Sequence, residues 1–239
     1  MGDESPTRAD VRETYDRIGS HFAKTREYGW PEVETFLAEA LLSADRAVGL
    51  DLGCGNARHA ESLAERVDCV LGLDVSRSLL EAGRERASDR GFGPSFSPIL
   101  GDATRLPIAD DAVDLAVYVA TIHHLPTRAD RVVSLDELAR VLAPDARALV
   151  SAWATAHDRF ADRVEAHRDV DATAGDGDRR PATGFDTTVE WTLPGGETVD
   201  RFYHVYAPIE FEADLEASDL EVVETTVSSG NCYAQVAGR

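Results

Sequence analysis

The chain has 239 residues, 43% of them hydrophobic, so it is long and apolar enough to bury one α/β core without disulfides. Its three cysteines (Cys54, Cys69 and Cys232) form no C-x-x-C pair, and no apolar run of about 18 residues occurs, so we expect a cytoplasmic protein with no disulfide framework, protein-held metal or membrane span. The formal net charge is −20 and Lys24 is the only lysine. This excess of acidic over basic residues resembles proteins of salt-accumulating halophiles, haloarchaea among them. In molar salt the Debye length is about 3 Å, so the negative charge alone does not exclude a nucleic-acid partner.

The N-terminal region, residues 1–42, predicts a helical cap. Apolar residues recur at helical intervals in its first part, namely Val11, Tyr15, Ile18 and Phe22. A break at residues 29–31, where glycine and proline flank a tryptophan, separates this helix from a second one that begins at Glu32.

Strands and helices are predicted to alternate from residue 48 onwards, which indicates a mostly parallel sheet. The predicted strands are 48–53, 68–75, 96–101, 113–120 and 147–154, and the predicted helices follow the first strand to residue 66 and then span 77–90 and 128–142. We therefore expect a doubly wound, Rossmann-like α/β fold in a single domain that spans residues 1–239.

The C-terminal part adds a region of different composition. Residues 156–186 have little apolar periodicity, so they predict either a mobile loop or an insertion that a ligand orders. Pro194-Gly195-Gly196 predicts a hairpin of strands 188–193 and 197–206, and we expect residues 156–206 to form an insertion on the substrate side. After a helix at 210–218, Ser229-Gly230-Asn231 joins strands 220–228 and 231–237 so tightly that they must be antiparallel.

A glycine turn ends the first predicted strand and carries the strongest functional signal. Asp51 precedes Gly53 and Gly55, and glycine lets the backbone turn tightly and approach a ligand closely. Asp74 ends the next strand, where an acidic side chain accepts hydrogen bonds from ribose hydroxyls. An acid just before the turn repels a pyrophosphate but suits an ammonium group, which favours a nucleoside with an amino-acid moiety over a dinucleotide.

This order of residues resembles the first motif of the class I S-adenosylmethionine-dependent methyltransferases, with Ala57 in place of the third glycine. Gly101-Asp102-Ala103 matches the position at which that family holds the adenine. The resemblance implies S-adenosyl-L-methionine as the cofactor, and as its binding residues Asp51, Gly53, Gly55, Asp74, Val75, Asp102, Ala103 and Ala120. For Asp74 and Asp102, the alternative is that each only caps the N-terminus of a helix.

A narrower resemblance spans nearly the whole chain except residues 156–186. Its most specific segments are Thr25-Arg26 followed by Trp30-Pro31, then His123-His124, and Arg201-Phe202-Tyr203-His204. They are similar to the tRNA methyltransferases that esterify 5-carboxymethyluridine at the wobble position. The departures are Ala57, Glu27-Tyr28-Gly29 and Pro144-Asp145-Ala146. The resemblance implies two partners, a tRNA anticodon loop and a small zinc-binding activator protein in a heterodimer, and we expect the activator near the sheet edge at residues 95–99.

The chemistry can be argued from the residues themselves. Methyl transfer from a sulfonium is an in-line displacement, and a carboxylate acceptor is already ionised at neutral pH, so alignment is needed rather than a base. We expect Arg26 to hold the carboxylate or a phosphate and His123 to hydrogen-bond the acceptor. The predicted catalytic residues are Arg26, His123, Trp153, Tyr203 and His204, and the predicted substrate-binding residues are Trp30 and His124, with the tryptophans stacking on a base.

Each of these residues has a simpler alternative. Trp153 can belong to the core, Trp30 can pack two helices together, and His204 can satisfy a backbone carbonyl. Arg26 can pair with the neighbouring glutamates, and only one of His123 and His124 is expected to face the ligand. Two other functions also stay open. They are a methyltransferase for small quinone or polyketide acceptors and a non-catalytic scaffold that binds the cofactor.

Overall fold

The computed structural model describes residues 6–42, 46–165 and 183–238. Within them the helices are α1 (Arg8–Ala23), α2 (Pro31–Glu39), α3 (Arg58–Ala64), α4 (Arg77–Arg90), α5 (Arg128–Val141) and α6 (Pro208–Glu216). The strands are β1 (Val48–Leu52), β2 (Cys69–Asp74), β3 (Phe96–Leu100), β4 (Val113–Val119), β5 (Leu142–Trp153), β6 (Phe185–Thr192), β7 (Thr198–Val205), β8 (Glu221–Ser228) and β9 (Asn231–Ala237).

The central sheet has seven strands in the order β3-β2-β1-β4-β5-β9-β8. Neighbouring strands from β3 to β5 are parallel, whereas β9 runs antiparallel to both β5 and β8. The parallel strands need helical crossovers, but a tight turn is sufficient between β8 and β9, so this last pair is antiparallel. The predicted doubly wound sheet with a final antiparallel strand is confirmed.

Apolar side chains cover both faces of the sheet. One buried cluster contains Tyr118, Leu135 and Phe211 from β4, α5 and α6, and a second contains Phe36, Leu63 and Leu80 from α2, α3 and α4. Strands that are covered on both faces read as continuous apolar runs, which is why β1, β2 and β4 were recognisable in the sequence.

Helix α1 lies across the carboxyl end of β2. Thr7 caps its first turn in a reciprocal capping box with Asp10. The Ser76 hydroxyl, which also caps α4, donates to the Asp16 carboxylate at 2.9 Å, and Ile18 packs with Leu79. These contacts fix α1 over the edge of the sheet at which a doubly wound fold binds its ligands.

Strands β6 and β7 form a separate antiparallel pair beside the same edge. The Tyr206 N–H, just after β7, donates to the Trp153 carbonyl at the end of β5 at 2.9 Å. The hairpin also packs on α1, because Val199 shares a cluster with Tyr15 and Ile18. The expected hairpin therefore stands next to the carboxyl ends of the parallel strands.

A few element boundaries differ from those expected. Strand β5 begins at Leu142 rather than 147, and includes Asp145 in a left-handed conformation (φ 67°). Helix α6 begins at Pro208, since proline suits the first helical position. Of the segment 156–186, residues 158–160 form a 3₁₀ turn, while 166–182 lie outside the described residues. No helix in the described ranges combines the length and apolarity needed to span a membrane.

Candidate active site

A cleft opens at the carboxyl ends of β1, β2, β4 and β5, between α1 and β7. The space between its walls is about 1180 Å³, a volume that includes the solvent-filled open mouth. The predicted site residues that line it are Arg26, Trp30, Gly53, Gly55, Asp74, Val75, Asp102, Ala103, Ala120, His123, His124, Trp153 and Tyr203. Asp51 lies behind the glycine turn, and His204 is elsewhere.

The glycine turn forms one wall of the cleft. Gly53 has φ 73°, and a Cβ on it would collide with the side chain of Thr121. Gly55 has φ 53°, and a Cβ there would meet no atom within 4 Å, so the space over it is open to a ligand. Ala57, in place of the third glycine, also adopts the left-handed conformation (φ 61°) that L-residues rarely take.

The Asp74 carboxylate is held rigidly at the floor of the cleft. It accepts hydrogen bonds from the N–H groups of Gly55 and Ser76, both at 2.8 Å. Burial raises the pKa of Asp74 to about 6, although these two hydrogen bonds act in the opposite direction. An ionised carboxylate has about four acceptor positions, so Asp74 can also accept hydrogen bonds from the hydroxyls of a ribose.

Asp51 is an unsatisfied buried acceptor directly behind the turn. Its side chain is 2% exposed, and its Oδ2 atom has no hydrogen-bond partner in the described residues. Burial raises the pKa of Asp51 to about 7. A nearby cation would favour the ionised form, so an ammonium group fits the chemistry of this position.

Asp102 both lines the cleft and stabilises a local turn. Its Oδ1 accepts from the Thr104 N–H at 2.9 Å and from the Thr104 hydroxyl at 2.8 Å, and its Oδ2 accepts from Arg8 of α1 at 2.8 Å. Asp102 therefore caps a local turn, not a helix as in the alternative, and it also lines the cleft. Arg8 closes this end of the cleft by linking α1 to the strand edge.

At the other end of the cleft, His123 lies among aromatic rings. Trp153 and Tyr203 stack in parallel with their centroids 4.4 Å apart, and His123 lies 5.1 Å from Tyr203. The Trp153 N–H donates to His123 Nδ1 at 2.9 Å, which places the ring proton of neutral His123 on Nε2. Burial lowers the pKa of His123 well below its ordinary value, so the ring is a neutral donor at physiological pH.

Both ring nitrogens of His124 have protein partners. Its Nδ1 lies 2.9 Å from the Phe202 carbonyl and must donate to it, so Nε2 accepts from the Tyr15 hydroxyl at 2.8 Å. Burial lowers the pKa of His124 to about 3. His123 Nε2, by contrast, has no hydrogen-bond partner within the described residues. The geometry therefore favours His123 over His124 as the residue that donates to an acceptor.

Two arginines without carboxylate partners lie beside these rings. The Arg26 guanidinium lies 4.4 Å from the ring centroid of Phe22 and 5.9 Å from that of Trp191. The Arg201 guanidinium lies 5.7 Å from the ring centroid of Phe22 and 5.0 Å from that of Trp191. Arg201 is only 4% exposed; it donates to the Tyr203 hydroxyl at 2.5 Å, and its Nε has no partner. In the described ranges neither arginine forms an ion pair.

The alternative, an ion pair of Arg26 with a neighbouring glutamate, is not formed in the described residues, where Glu27 pairs with Arg90 of α4. The sequence motifs include Arg201 but assign it no role. The pattern did contain a signal for it, since Arg201 and Tyr203 are two residues apart in a strand and therefore share a face.

His204 is not brought to the cleft. Its Nδ1 lies 2.7 Å from the Asp186 carboxylate and its Nε2 lies 3.0 Å from that of Glu210. Burial lowers the pKa of His204, but these two hydrogen bonds outweigh burial and raise it above its ordinary value. The physical reason for this placement is strand alternation, which turns His204 to the face of β7 opposite Tyr203.

The two predicted tryptophans have mixed roles. Trp30 lines the cleft and also packs edge-on against His59 and Tyr233, so it both joins elements and faces the ligand space. Trp153 likewise packs on a small core cluster with Phe160 while lining the cleft. For each tryptophan, the core and the ligand-facing interpretations apply together.

Comparison with known proteins identifies the central part of the chain. Residues 50–150 match the family model described as a methyltransferase domain. The tRNA (carboxymethyluridine(34)-5-O)-methyltransferase of Mus musculus is 36% identical over 60% of this chain, and that of Saccharomyces cerevisiae is 32% identical over 60%. The matches cover 20% and 48% of those proteins, so this chain spans less than half the length of these relatives.

Several solved structures share the fold at low sequence identity. A methyltransferase from Aquifex aeolicus described as dependent on S-adenosylmethionine (SAM) has a TM-score of 0.60, with 18% identity over 91% of this chain and 97% of that one. The [4+2]-cyclase SpnF has a TM-score of 0.69, with 16% identity over 100% of this chain and 99% of the other. A structure from Haloferax volcanii, described as a complex of the Trm112 methyltransferase activator with a methyltransferase, has a TM-score of 0.61, with 16% identity over 95% and 97%.

A cyclase among these neighbours shows that the fold alone does not determine the reaction. The cleft supplies the more specific argument, since its open glycine turn, the Asp74 carboxylate and the unsatisfied Asp51 suit the ribose and the ammonium of SAM. Residues 50–150 therefore match a methyltransferase domain, and the fold is shared with solved S-adenosylmethionine-dependent methyltransferases, which together with the cleft imply S-adenosylmethionine as the cofactor.

Proposed function

We propose that the chain is a tRNA methyltransferase that forms the methyl ester of 5-carboxymethyluridine at the wobble position. One observation carries this proposal. Arg26 lines the aromatic end of the cleft, and Arg201 is buried behind Tyr203, close enough to His123 to lower its pKa. Neither arginine is paired with a carboxylate in the described residues. A buried arginine without a counter-charge, such as Arg201, is destabilising, so its presence is explained if the ligand provides the negative charge.

The proposed roles follow from the requirements of the reaction. When bound, SAM supplies a methyl group activated by a sulfonium. Arg26 and Arg201 hold the acceptor carboxylate, and His123 donates a hydrogen bond from Nε2 that orients one carboxylate oxygen without neutralising it. Trp153 and Tyr203 exclude water and offer faces to the uridine ring. The carboxylate is already ionised, so positioning supplies most of the rate increase.

A phenolic quinone or polyketide acceptor fits these residues less well. Such a hydroxyl must lose a proton during transfer, and a base with a pKa near the working pH does this most efficiently. Burial keeps the pKa of His123 far below that range, and His124 already has two partners. The names of the mouse and yeast relatives also favour the tRNA substrate.

The proposal includes the small zinc-binding activator protein as a heterodimer partner. Strand β3 is an edge of the sheet and pairs only with β2, and Leu100 at its end is 51% exposed. An open strand edge with an exposed apolar residue is a common docking surface. The activator complex from Haloferax volcanii, which shares the fold, supports the same partner for this chain.

The test is transfer of labelled methyl groups to total tRNA from a strain that lacks this protein. The chain is co-expressed with the activator, assayed in molar potassium chloride, and the tRNA is digested for nucleoside mass spectrometry. We expect a methyl ester on 5-carboxymethyluridine, lost with His123→Ala. Measurable cofactor binding without incorporation into tRNA would contradict the proposal and favour a small-molecule acceptor or a scaffold.

A further inference from the structure

Arg58 and His59, at the start of α3, form a second group of cleft residues without partners. The Arg58 guanidinium stands 5.2 Å from the centroid of Trp30, and the ring of His59 packs edge-on against the same tryptophan at 6.2 Å. Both residues line the cleft next to the glycine turn. Neither was assigned a role by the sequence motifs.

Both side chains lack the partners that their burial requires. His59 is only 5% exposed, and neither of its ring nitrogens has a hydrogen-bond partner in the part of the chain that is described. Arg58 forms no ion pair there, because Glu61 of the same helix pairs with Arg86 and Arg90. Burial lowers the pKa of Arg58 to about 10, and burial lowers that of His59 to about 3, so Arg58 is charged and His59 neutral at pH 7.

The position of this group indicates which anion it suits. Asn56, between the turn and Arg58, donates from Nδ2 to the carbonyls of Ala23 and Arg26, which ties the glycine turn to the segment after α1. Asp51 lies behind the same turn with its unsatisfied Oδ2. A buried acid behind the turn and an arginine just after it, without an ion pair in the described residues, match a ligand group that carries an ammonium and a carboxylate together.

We propose that Arg58, assisted by His59, binds the α-carboxylate of S-adenosylmethionine, while Asp51 faces its ammonium. In this assignment, different arginines bind the carboxylate of the cofactor and the carboxylate of the acceptor. Arg58 serves the cofactor at the glycine turn, and Arg26 and Arg201 serve the acceptor at the aromatic end. This assignment concerns cofactor binding alone, so a test of it does not depend on the identity of the acceptor.

The test measures cofactor affinity without any acceptor. Calorimetry compares S-adenosylhomocysteine with its decarboxylated analogue, S-adenosyl-3-thiopropylamine, which keeps the amine. We expect Arg58→Met to weaken binding of S-adenosylhomocysteine about 10- to 100-fold and to leave binding of the analogue within about twofold, because only the first ligand has the carboxylate. Arg58→Lys should restore part of the affinity for S-adenosylhomocysteine alone.

Arg26→Met is the matched control, because it removes an unpaired arginine from the same cleft and should bind both ligands like the wild type. Equal losses for both ligands in Arg58→Met, or the carboxylate-dependent loss in Arg26→Met instead, would overturn the assignment. Thermal unfolding without ligand checks folding. Removing an unpaired, half-buried charge should leave the midpoint unchanged or raised. A lowered midpoint together with unchanged affinity for S-adenosylhomocysteine would show that Arg58 only packs on Trp30.

Discussion

The two ends of the cleft are built differently. At the glycine turn backbone groups hold the site, since the N–H groups of Gly55 and Ser76 fix the Asp74 carboxylate within the continuous segment β1–α3–β2 and the turn that follows it. At the aromatic end the side chains come from distant parts of the chain, α1, β5 and β7 among them. The buried Arg201 behind Tyr203 has no ion-pair partner in the described residues. One end is therefore preorganised by local structure, whereas the proposed function requires a ligand to complete the other.

The largest expected effect comes from removing both acceptor-side arginines. The double variant Arg26→Met/Arg201→Met should lower kcat/KM for tRNA by about 100-fold or more, because each lost charge-assisted hydrogen bond costs about 1.5–3 kcal/mol. Its affinity for S-adenosylhomocysteine should match that of the wild type. If cofactor binding weakened as much as kcat/KM, the two ends of the cleft would not be separate sites.

The second prediction concerns a substitution at the cofactor end of the cleft. Asp74→Ala removes the acceptor for the ribose hydroxyls and releases the Gly55 N–H, so we expect about 10- to 100-fold weaker binding of S-adenosylhomocysteine by calorimetry. Ser76 still caps α4 through its hydroxyl, so the fold should persist. Unchanged affinity in this variant would contradict the ribose-binding role.

A smaller effect is expected where α1 supports the aromatic end. Tyr15→Phe removes the hydroxyl that donates to His124 Nε2 and leaves a buried acceptor without a partner. This should reduce the free energy of unfolding by about 1–3 kcal/mol in chemical denaturation. Tyr28→Phe is the control, because Tyr28 is 79% exposed and its hydroxyl has no partner in the described residues. Equal stability of the two variants would rule out a structural role for this hydrogen bond.

The smallest expected effect is on the pH dependence. His123 has a pKa well below its ordinary value, so it stays neutral across neutral pH, and the acceptor carboxylate is ionised throughout. The single-turnover rate with saturating cofactor should therefore change less than about twofold between pH 6.5 and 8.5, since neither His123 nor the acceptor carboxylate changes its charge there. A rate that rises tenfold per pH unit would instead identify a general base.

The sheet and the glycine turn could be predicted because their signals are local. Strands buried on both faces read as apolar runs, and Gly53, Gly55 and Asp74 stand at fixed places at the strand ends. The acceptor residues were only partly predictable. Tyr203 and His204 were both expected in the pocket, but neighbours in a strand face opposite ways, and Arg201 was the residue on the correct face.

The least predictable group was that of Arg58 and His59. Their neighbour Trp30 comes from the start of α2, and only the tertiary packing of α2 against α3 brings the three side chains together. Nothing in the spacing of the sequence indicates that Arg58 has no ion-pair partner, because Glu61, three residues later, is a natural candidate. That glutamate pairs instead with two arginines of α4.

The most direct measurement of the central claim compares two anticodon stem-loops that differ in one group. One carries 5-carboxymethyluridine at the wobble position and the other carries its amide, 5-carbamoylmethyluridine. With the activator present, we predict methyl transfer only to the RNA that carries the carboxylate. We also predict that this RNA binds about 10- to 100-fold more tightly than the amide RNA, and that Arg201→Met removes this difference in affinity. Equal binding of the two RNAs, or a preference that persists in Arg201→Met, would contradict the claim that the unpaired arginines select a carboxylate acceptor.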